Sequence, residues 1–244
     1  MIYFTNSFNL GIRKILKKIG RGYRFYNQKL DVDKVISQNF KVGKSFSFVQ
    51  VGANDGVSFD NLYEVVTKRK SKGLVIEPLE EYYTQLVENY KVYPEIIPIK
   101  KAVHPTASQI TIYKVAKSAL HKYPDWVKGI ASVDPKHHLK INVASEDMEK
   151  EEVSCMPLMA LIKNSGMLNL DYIQIDTEGF DLEVLKMINF STVKPVLIKY
   201  ESVNLSQKDK QEARHLLEKN GYFHYQSHYD SLAIHLGKIK LYWK

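Results

Sequence analysis

The sequence lacks the features that would mark a disulfide-rich, membrane-spanning or repetitive protein. Cys155 is its single cysteine, so no internal disulfide can form, and we expect inert packing for this residue in a reducing compartment. No apolar run reaches the roughly 18 residues that a membrane-spanning helix needs. Lysines interrupt the apolar residues between 8 and 19, which argues against a signal-peptide core. A cytoplasmic location is therefore expected.

Acidic residues are absent from the first 30 residues, which hold seven Lys and Arg side chains. The remaining 214 residues hold 28 basic and 27 acidic side chains, so the formal net charge of +8 belongs to the N-terminus. An evenly charged main body argues against a basic nucleic-acid groove, and we expect no nucleic-acid partner.

Within the basic N-terminus, apolar residues recur at helical spacing between positions 8 and 19. Two interpretations stay open: a terminal helix that packs its apolar stripe on the domain, or a basic helix that lies on an anionic membrane surface. The second would make the protein peripheral to the inner face of a membrane. We assign residues 1–40 to a basic helical extension and residues 41–244 to one main domain.

Short apolar strand patterns alternate with helical patterns through the main domain. This alternation predicts βαβ units and an α/β fold with a mostly parallel sheet. The last two strand patterns, at residues 222–229 and 231–236, are separated only by Asp230, so they should form an antiparallel hairpin at the sheet edge. The other predicted strands are 46–51, 73–77, 96–99, 110–115, 172–176 and 196–201, and the predicted helices are 61–70, 80–90, 157–164, 182–188 and 207–220.

Residues 116–152 interrupt this rhythm with a long polar stretch that is rich in Lys, His and Asp. A loop of this length in a compact domain is usually functional or disordered. Two interpretations stay open, a substrate lid over the ligand edge of the sheet and a solvated insertion.

A glycine-bounded turn follows the first strand of the main domain in the motif VQVGANDG. Glycines can adopt backbone angles closed to other residues and can let a ligand approach the backbone. Amide groups at the start of the following helix would then face a negative group. Asn54 stands where a dinucleotide-binding motif has a second glycine, which disfavours a pyrophosphate. The candidate ligand-binding residues of the turn are Gly52, Ala53, Asn54, Asp55 and Gly56, with a helix cap as the alternative role for Asp55.

A carboxylate ends the next strand, where Glu77 lies 25 residues beyond Gly52. An acid at this distance can accept hydrogen bonds from both ribose hydroxyls of a nucleoside. The alternative is an acid that caps the next helix. A nucleoside sulfonium such as S-adenosylmethionine (SAM) would place its amino-acid part at the turn and its ribose at Glu77.

The segment after the third strand would flank the adenine of such a ligand. Lys101 and Ala102 are the candidates for this contact. His104 follows and could serve as a base, although a histidine in a loop is more often polar surface.

Three carboxylates are expected at the same edge of the sheet. Asp176 ends a buried strand, Glu178 lies in the following turn, and Glu201 ends the next strand. They could take a proton from an acceptor, hold a divalent ion, or only position SAM, to which Asp176 would lie close. Asp181 is expected to cap the helix that follows.

These motifs resemble the FkbM family of SAM-dependent methyltransferases. The resemblance covers roughly residues 45–236 and depends on VQVGANDG, LVIEPLEE, KKAVHP, IASVDPKHHL and YIQIDTEGFDLEVL. It implies a Rossmann-like class I methyltransferase fold with a seven-stranded sheet and SAM as the methyl donor.

The resemblance also implies roles for individual residues. Residues 52–56 would hold the amino-acid part of SAM, Glu77 its ribose, and Asp176 would lie near the donor. Ser132 and the pair His137 and His138 match a loop expected near the substrate.

We expect an O-methyltransferase that acts on a hydroxyl of a sugar, glycan or related natural product. One alternative is an NAD-dependent oxidoreductase, which Asn54 and the terminal hairpin disfavour. The other is a nucleoside-binding module without catalysis, which the intact glycine turn and the acid cluster disfavour.

Overall fold

The computed structural model describes residue 11, residues 29–59 and residues 61–244. The apolar residues of the stripe predicted between positions 8 and 19 all lie outside the described residues. The predicted membrane contact of the N-terminus therefore stays a prediction. In the part of the chain that the structure describes, no helix is long and apolar enough to cross a membrane.

Strands and helices alternate along the described chain. The strands are β1 (Ser45–Val51), β2 (Lys70–Ile76), β3 (Ile96–Ile99), β4 (Ala102–Val103), β5 (Gln109–Val115), β6 (Ala131–Ser132), β7 (Met148–Met156), β8 (Tyr172–Ile175), β9 (Leu197–Glu201), β10 (Phe223–Gln226) and β11 (Asp230–Ile234). The α-helices are α1 (Val32–Asn39), α2 (Leu62–Thr67), α3 (Glu80–Tyr90), α4 (His137–Lys140), α5 (Leu158–Asn164), α6 (Asp181–Met187) and α7 (Gln207–Lys219).

The main sheet has seven strands in the order β3-β2-β1-β8-β9-β11-β10. Every neighbouring pair from β3 to β9 is parallel, while β11 is antiparallel to both β9 and β10. The predicted α/β class, the mostly parallel seven-stranded sheet and the antiparallel C-terminal hairpin are confirmed. The chain order reverses between β1 and β8, and ligands of open α/β sheets bind at such a reversal.

Alternating side chains of β1 pack into hydrophobic clusters on opposite faces of the sheet. Phe46 and Phe48 contribute to one cluster, and Val49 and Val51 contribute to the other. All four side chains are buried, as expected for a central parallel strand covered by helices on both faces.

Residues 29–40 pack against the main sheet, although the predicted domain boundary falls at residue 40. Val35 of α1 is fully buried in the same cluster as Phe46, and Leu30 forms a β-bridge with Trp243 near the C-terminus. Asp31 caps α1 by accepting a hydrogen bond from the Lys34 amide.

A second, four-stranded sheet in the order β4-β7-β5-β6 corrects the interpretation of residues 116–152 as loop. Strand β7 begins at Met148 and pairs antiparallel with β5 along its length. The strand escaped prediction because its polar residues 149–152 give no apolar run. Lys114 of β5 compensates part of this charge through ion pairs with Glu149 and Glu151.

Two predicted element boundaries differ from those in the structure, and strand pairing explains both differences. Helix α2 ends at Thr67 and β2 begins at Lys70, because parallel pairing with β1 extends back to Ser45. At the C-terminal hairpin, Asp230 belongs to β11, and the turn that links the two strands lies at residues 227–229.

Gly73 supplies a test of the packing between β1 and β2, because a Cβ at this position would overlap the buried ring of Phe48. We expect Gly73→Ala to lower the free energy of unfolding by about 1–3 kcal/mol, the usual cost of overpacking. The measurement is urea unfolding of Gly73→Ala, Phe48→Leu and the double variant. The double variant should be destabilised by less than the sum of the single variants, and simple additivity would contradict the packing described here.

Candidate functional site

A cavity of about 260 Å³ opens at the carboxyl ends of β1, β2 and β8, where the chain order reverses. Its volume lies slightly below the range of roughly 300–1,000 Å³ typical of ligand pockets. The predicted residues Gly52, Ala53, Asn54, Glu77, Lys101, Ala102, Asp176 and Glu178 all line it. We call it the donor cavity. Asp55, Gly56 and Glu201 are not among its lining residues.

The two glycines of the turn are required by protein neighbours. Gly52 has a φ of +75°, and a Cβ there would overlap the backbone oxygen of Asp176. Gly56 has a φ of +80°, and a Cβ there would lie 2.6 Å from side-chain atoms of Leu86 and Tyr90. The close approach that these glycines permit is therefore one between segments of the chain itself.

The expectation that helix-start amides face the ligand is wrong for this turn. All amides from residue 52 to residue 58 donate to acceptors within the protein. Helix α2 begins only at Leu62, farther along the chain. Asp55 accepts hydrogen bonds from the amides of Val57 and Ser58 and from the Ser58 hydroxyl, which is a local capping role.

Glu77 lies beside the glycine turn, as the sequence predicted. Its Oε2 accepts a hydrogen bond from the Asn54 amide at 2.9 Å, and its Oε1 accepts one from the Leu79 amide at 3.0 Å. The side chain is only 5% exposed. Burial raises the pKa of Glu77 to about 7, against the lowering effect of the two amides.

The residues after β3 take different positions around the donor cavity. Ala102 and Lys101 line it, while the Lys101 amine donates to the Ser154 hydroxyl of β7 at 2.9 Å. His104 does not line it. Its Nδ1 accepts hydrogen bonds from the amides of residues 106 and 107, and its ring stacks on Phe180, so it organises a turn.

Asp176 and Glu178 line the donor cavity, and Glu201 lies close to both of them. One carboxylate oxygen of each lies within 4.8 Å of the other two. The Asn204 side-chain amide donates to Glu178 at 2.8 Å and to Glu201 at 3.0 Å. We call these three carboxylates the acid cluster.

Burial and nearby negative charges raise the pKa values of Asp176 and Glu201. Asp176 is reached by solvent from the cavity, but the surrounding protein and then Glu178 and Asp181 raise its pKa well above the usual value. Burial, followed by Glu178 and Asp176, raises the pKa of Glu201 to about 9. Crowded acids of this kind are typical of functional sites.

Asp181 lies below the cluster as the first residue of α6. It is fully buried and accepts a hydrogen bond from the Gly179 amide at 3.2 Å. Burial raises its pKa to about 7. The predicted helix cap is therefore wrong: the N-cap residue is Phe180, and the Asp181 side chain holds the turn that precedes the helix.

Two of the loop residues identified by family resemblance, Ser132 and His137, contact the acid cluster at Glu178. The Ser132 hydroxyl donates to the Glu178 backbone oxygen at 2.8 Å, and His137 Nε2 lies 3.3 Å from Glu178 Oε2. His138 contacts Pro135 and Ser145 instead, which gives it a role inside the loop.

Backbone strain is concentrated at the same place. Asn54, Phe59 and Glu178 have φ values of +50°, +62° and +51°, and all three line the donor cavity. Non-glycine residues in this region of backbone space cost free energy, and they collect at functional sites.

Other lining residues escaped the sequence analysis. Gln50 and Gln174 are buried polar side chains on adjacent central strands, and their alternation within apolar runs was the available signal. Trp126 and Phe59 line the cavity while remaining largely exposed. Trp126 lies in a short 3₁₀ turn, Asp125–Gly129, and Tyr82 of α3 donates a hydrogen bond to the Lys128 carbonyl of that turn.

A comparison with protein families identifies the chain. The model of the methyltransferase FkbM domain matches residues 50–223, well over half of the 244 residues. This chain belongs to the FkbM methyltransferase family. It is therefore a methyltransferase domain, and the methyl donor general to the family is SAM. This finding excludes the alternative of an NAD-dependent oxidoreductase.

Solved structures resemble this chain only at low sequence identity. An FkbM methyltransferase from Methylobacillus flagellatus is 16% identical over 81% of this chain and 45% of its own, with a TM-score of 0.48. Precorrin-6y C5,15-methyltransferase from Geobacter metallireducens is 14% identical over 83% and 85%, with a TM-score of 0.42. The fibrillarin pre-rRNA processing protein of Methanococcus jannaschii is 13% identical over 80% and 68%, also with 0.42. We draw no functional conclusion from likenesses of this extent.

A comparison with curated protein sequences finds no significant match to this chain. The substrate must therefore be argued from the site itself.

Glu77 generates a prediction for stability against pH. The folded protein holds the Glu77 proton more tightly than the unfolded chain, since its pKa is about 7 against 4.5. The contribution of Glu77 to stability is therefore complete below pH 4.5 and is lost as the pH rises to about 7. Between these values the wild type should lose about 3 kcal/mol relative to Glu77→Gln, which does not titrate. Urea unfolding of both proteins from pH 4.5 to 8 measures the difference, and parallel pH profiles would contradict it.

Proposed function

We propose that this protein transfers a methyl group from SAM to a hydroxyl oxygen of a sugar, glycan or related natural product. The observation that carries the proposal is a polar groove that adjoins the donor cavity at Glu178 and Val133, both of which line the two spaces. The groove has a volume of about 480 Å³. The acid cluster includes Glu178, so it lies between a donor site and a second site of suitable size.

The donor half of the proposal depends on the fit of SAM to the donor cavity. Glu77 is buried at the cavity wall, and each of its oxygens keeps a lone pair after accepting one backbone amide, which suits two ribose hydroxyls. Lys101 and Ala102 line the same cavity, and the apolar side chains of Ile110 and Ile112 suit an adenine face. When bound, SAM supplies an electrophilic methyl group on a sulfonium.

The acceptor half depends on the chemistry of the polar groove. Neutral and charged hydrogen-bonding side chains line it, namely Ser132, Asp134, Lys140, Asn204, Ser206 and Asp209. Groups of this kind bind a hydroxyl-rich molecule better than an apolar one. No aromatic side chain is among the lining residues of the groove.

The acid cluster supplies the remaining requirement of the reaction. As the new oxygen–methyl bond forms, the methyl–sulfur bond breaks, its electron pair stays on sulfur, and the hydroxyl proton leaves the acceptor oxygen. Asp176 borders the donor cavity and Glu178 borders both spaces, so a carboxylate is available to take that proton in the proposed reaction. We assign the proton to Asp176, with Glu178 and Glu201 shaping its surroundings.

Binding of the donor is tested with S-adenosylhomocysteine, the product form of SAM. Trp126 lines the donor cavity and Trp243 lies with Leu30 and Tyr225 near the chain ends, so Trp243→Phe leaves Trp126 as the reporter. We expect saturable quenching, and affinity about 10- to 100-fold lower in Glu77→Gln, since hydrogen bonds to a charged group contribute about 1.5–3 kcal/mol.

Glu183→Gln is the matched control for this titration, because Glu183 is a surface carboxylate of α6 paired with Lys186. It should bind S-adenosylhomocysteine as the wild type does. Equal affinity in Glu77→Gln and the control would refute the ribose assignment.

Turnover tests the role of Asp176. Asp176→Ala should reduce methyl transfer by about 10²- to 10⁴-fold, the usual contribution of a general base, with the fold retained. The assay measures S-adenosylhomocysteine production over a panel of free and nucleotide-linked sugars, and magnetic resonance locates the new methyl group. Full activity in Asp176→Ala would clear this residue of a chemical role, and a methyl group on carbon or nitrogen would contradict the proposed reaction.

A further inference from the structure

The acid cluster has the spacing of ligands around one cation. Oxygens of Asp176, Glu178 and Glu201 lie within 4.8 Å of one another. Two ligands on opposite sides of an ion, each at about 2.1–2.4 Å, would be about 4.2–4.8 Å apart, and adjacent ligands would be closer. The three carboxylates are therefore close enough together for one ion to reach all of them.

His137 adds a second, independent observation at the same place. Its side chain is only 2% exposed, and neither ring nitrogen has a hydrogen-bond partner among the described residues. A buried imidazole left in this state is costly, so its nitrogen calls for a partner. Nε2 lies 3.3 Å from Glu178 Oε2 but outside hydrogen-bond geometry.

His137 is adjacent to Glu178 and is not a fourth member of the cluster, because the group of donor atoms that all lie within 4.8 Å of one another comprises the three carboxylates and leaves His137 out. At this position its imidazole can hold Glu178 in place, as partners of metal-binding carboxylates do.

We propose that Asp176, Glu178 and Glu201 form a divalent cation site at the junction of the donor cavity and the polar groove, with His137 beside Glu178. Carboxylates suit Mg²⁺, Ca²⁺ and Mn²⁺. Mn²⁺ is the probe of choice because its binding can be followed by its paramagnetic resonance signal. Lys199 balances part of the negative charge of the acid cluster, since it lowers the pKa of Asp176. Its amine also lies 3.3 Å from Asp230, so its positive charge is shared with a second carboxylate.

The site deepens the proposed function and rests on it for its role. A cation held at Glu178 would bind the hydroxyl oxygen of an acceptor in the polar groove and lower the pKa of that hydroxyl. The hydroxyl proton would still leave to a carboxylate or to water, and the methyl donor would not be altered.

Direct binding of Mn²⁺ tests the site without SAM or an acceptor. Isothermal titration and the loss of the free Mn²⁺ paramagnetic resonance signal should show one saturable site for each wild-type chain. Glu201→Gln and His137→Leu should each bind at least tenfold more weakly, the scale seen when metal-site partners are removed. Circular dichroism and S-adenosylhomocysteine affinity verify that each variant is folded.

Glu183→Gln is again the matched control, since it removes one negative charge outside the acid cluster. It should leave Mn²⁺ affinity unchanged. Absence of a saturable site in the wild type, or wild-type affinity in Glu201→Gln, would overturn the proposal, and wild-type affinity in His137→Leu would overturn the supporting role of His137 beside Glu178. Mn²⁺ binding without binding of S-adenosylhomocysteine would refute the proposed function and leave the cation site standing.

Discussion

The site depends on the contact between Gly52 and the backbone of Asp176. The end of β1 and the end of β8 lie so close that no side chain fits at position 52, and the Asp176 amide donates to the Val51 oxygen at 2.9 Å. This contact fixes the glycine turn against the segment that carries Asp176 and Glu178. The glycine turn and the acid cluster, which come from distant parts of the sequence, are thereby held at one edge of the sheet.

Sequence patterns predicted the elements whose residues are buried on both faces. Strand β8 and its neighbour β1 are apolar runs that end in polar turns, so their positions and the arrangement of Glu77 and Asp176 at one edge followed from parallel pairing. Strand β7 escaped because Glu149 and Glu151 on it are matched by Lys114 across the sheet, a pairing that no local pattern reveals.

The details of the site were harder to predict, because they depend on contacts between distant segments. Asp55 could equally have faced a ligand or its own turn, and only the positions of the Val57 and Ser58 amides decide for the turn. The contact of His137 with Glu178 joins residues 41 positions apart in the sequence. Family resemblance placed His137 in a loop near the substrate, but it could not give this partner.

The two amides that hold Glu77 also bear on how a ligand is received. The Asn54 amide ties one oxygen to the glycine turn, and the Leu79 amide ties the other to the start of α3. The Glu77 carboxylate is thus preorganised, because its rotamer is fixed before a ribose binds. A ribose that docks here would not have to order this side chain, so the entropic cost of association is reduced at that contact.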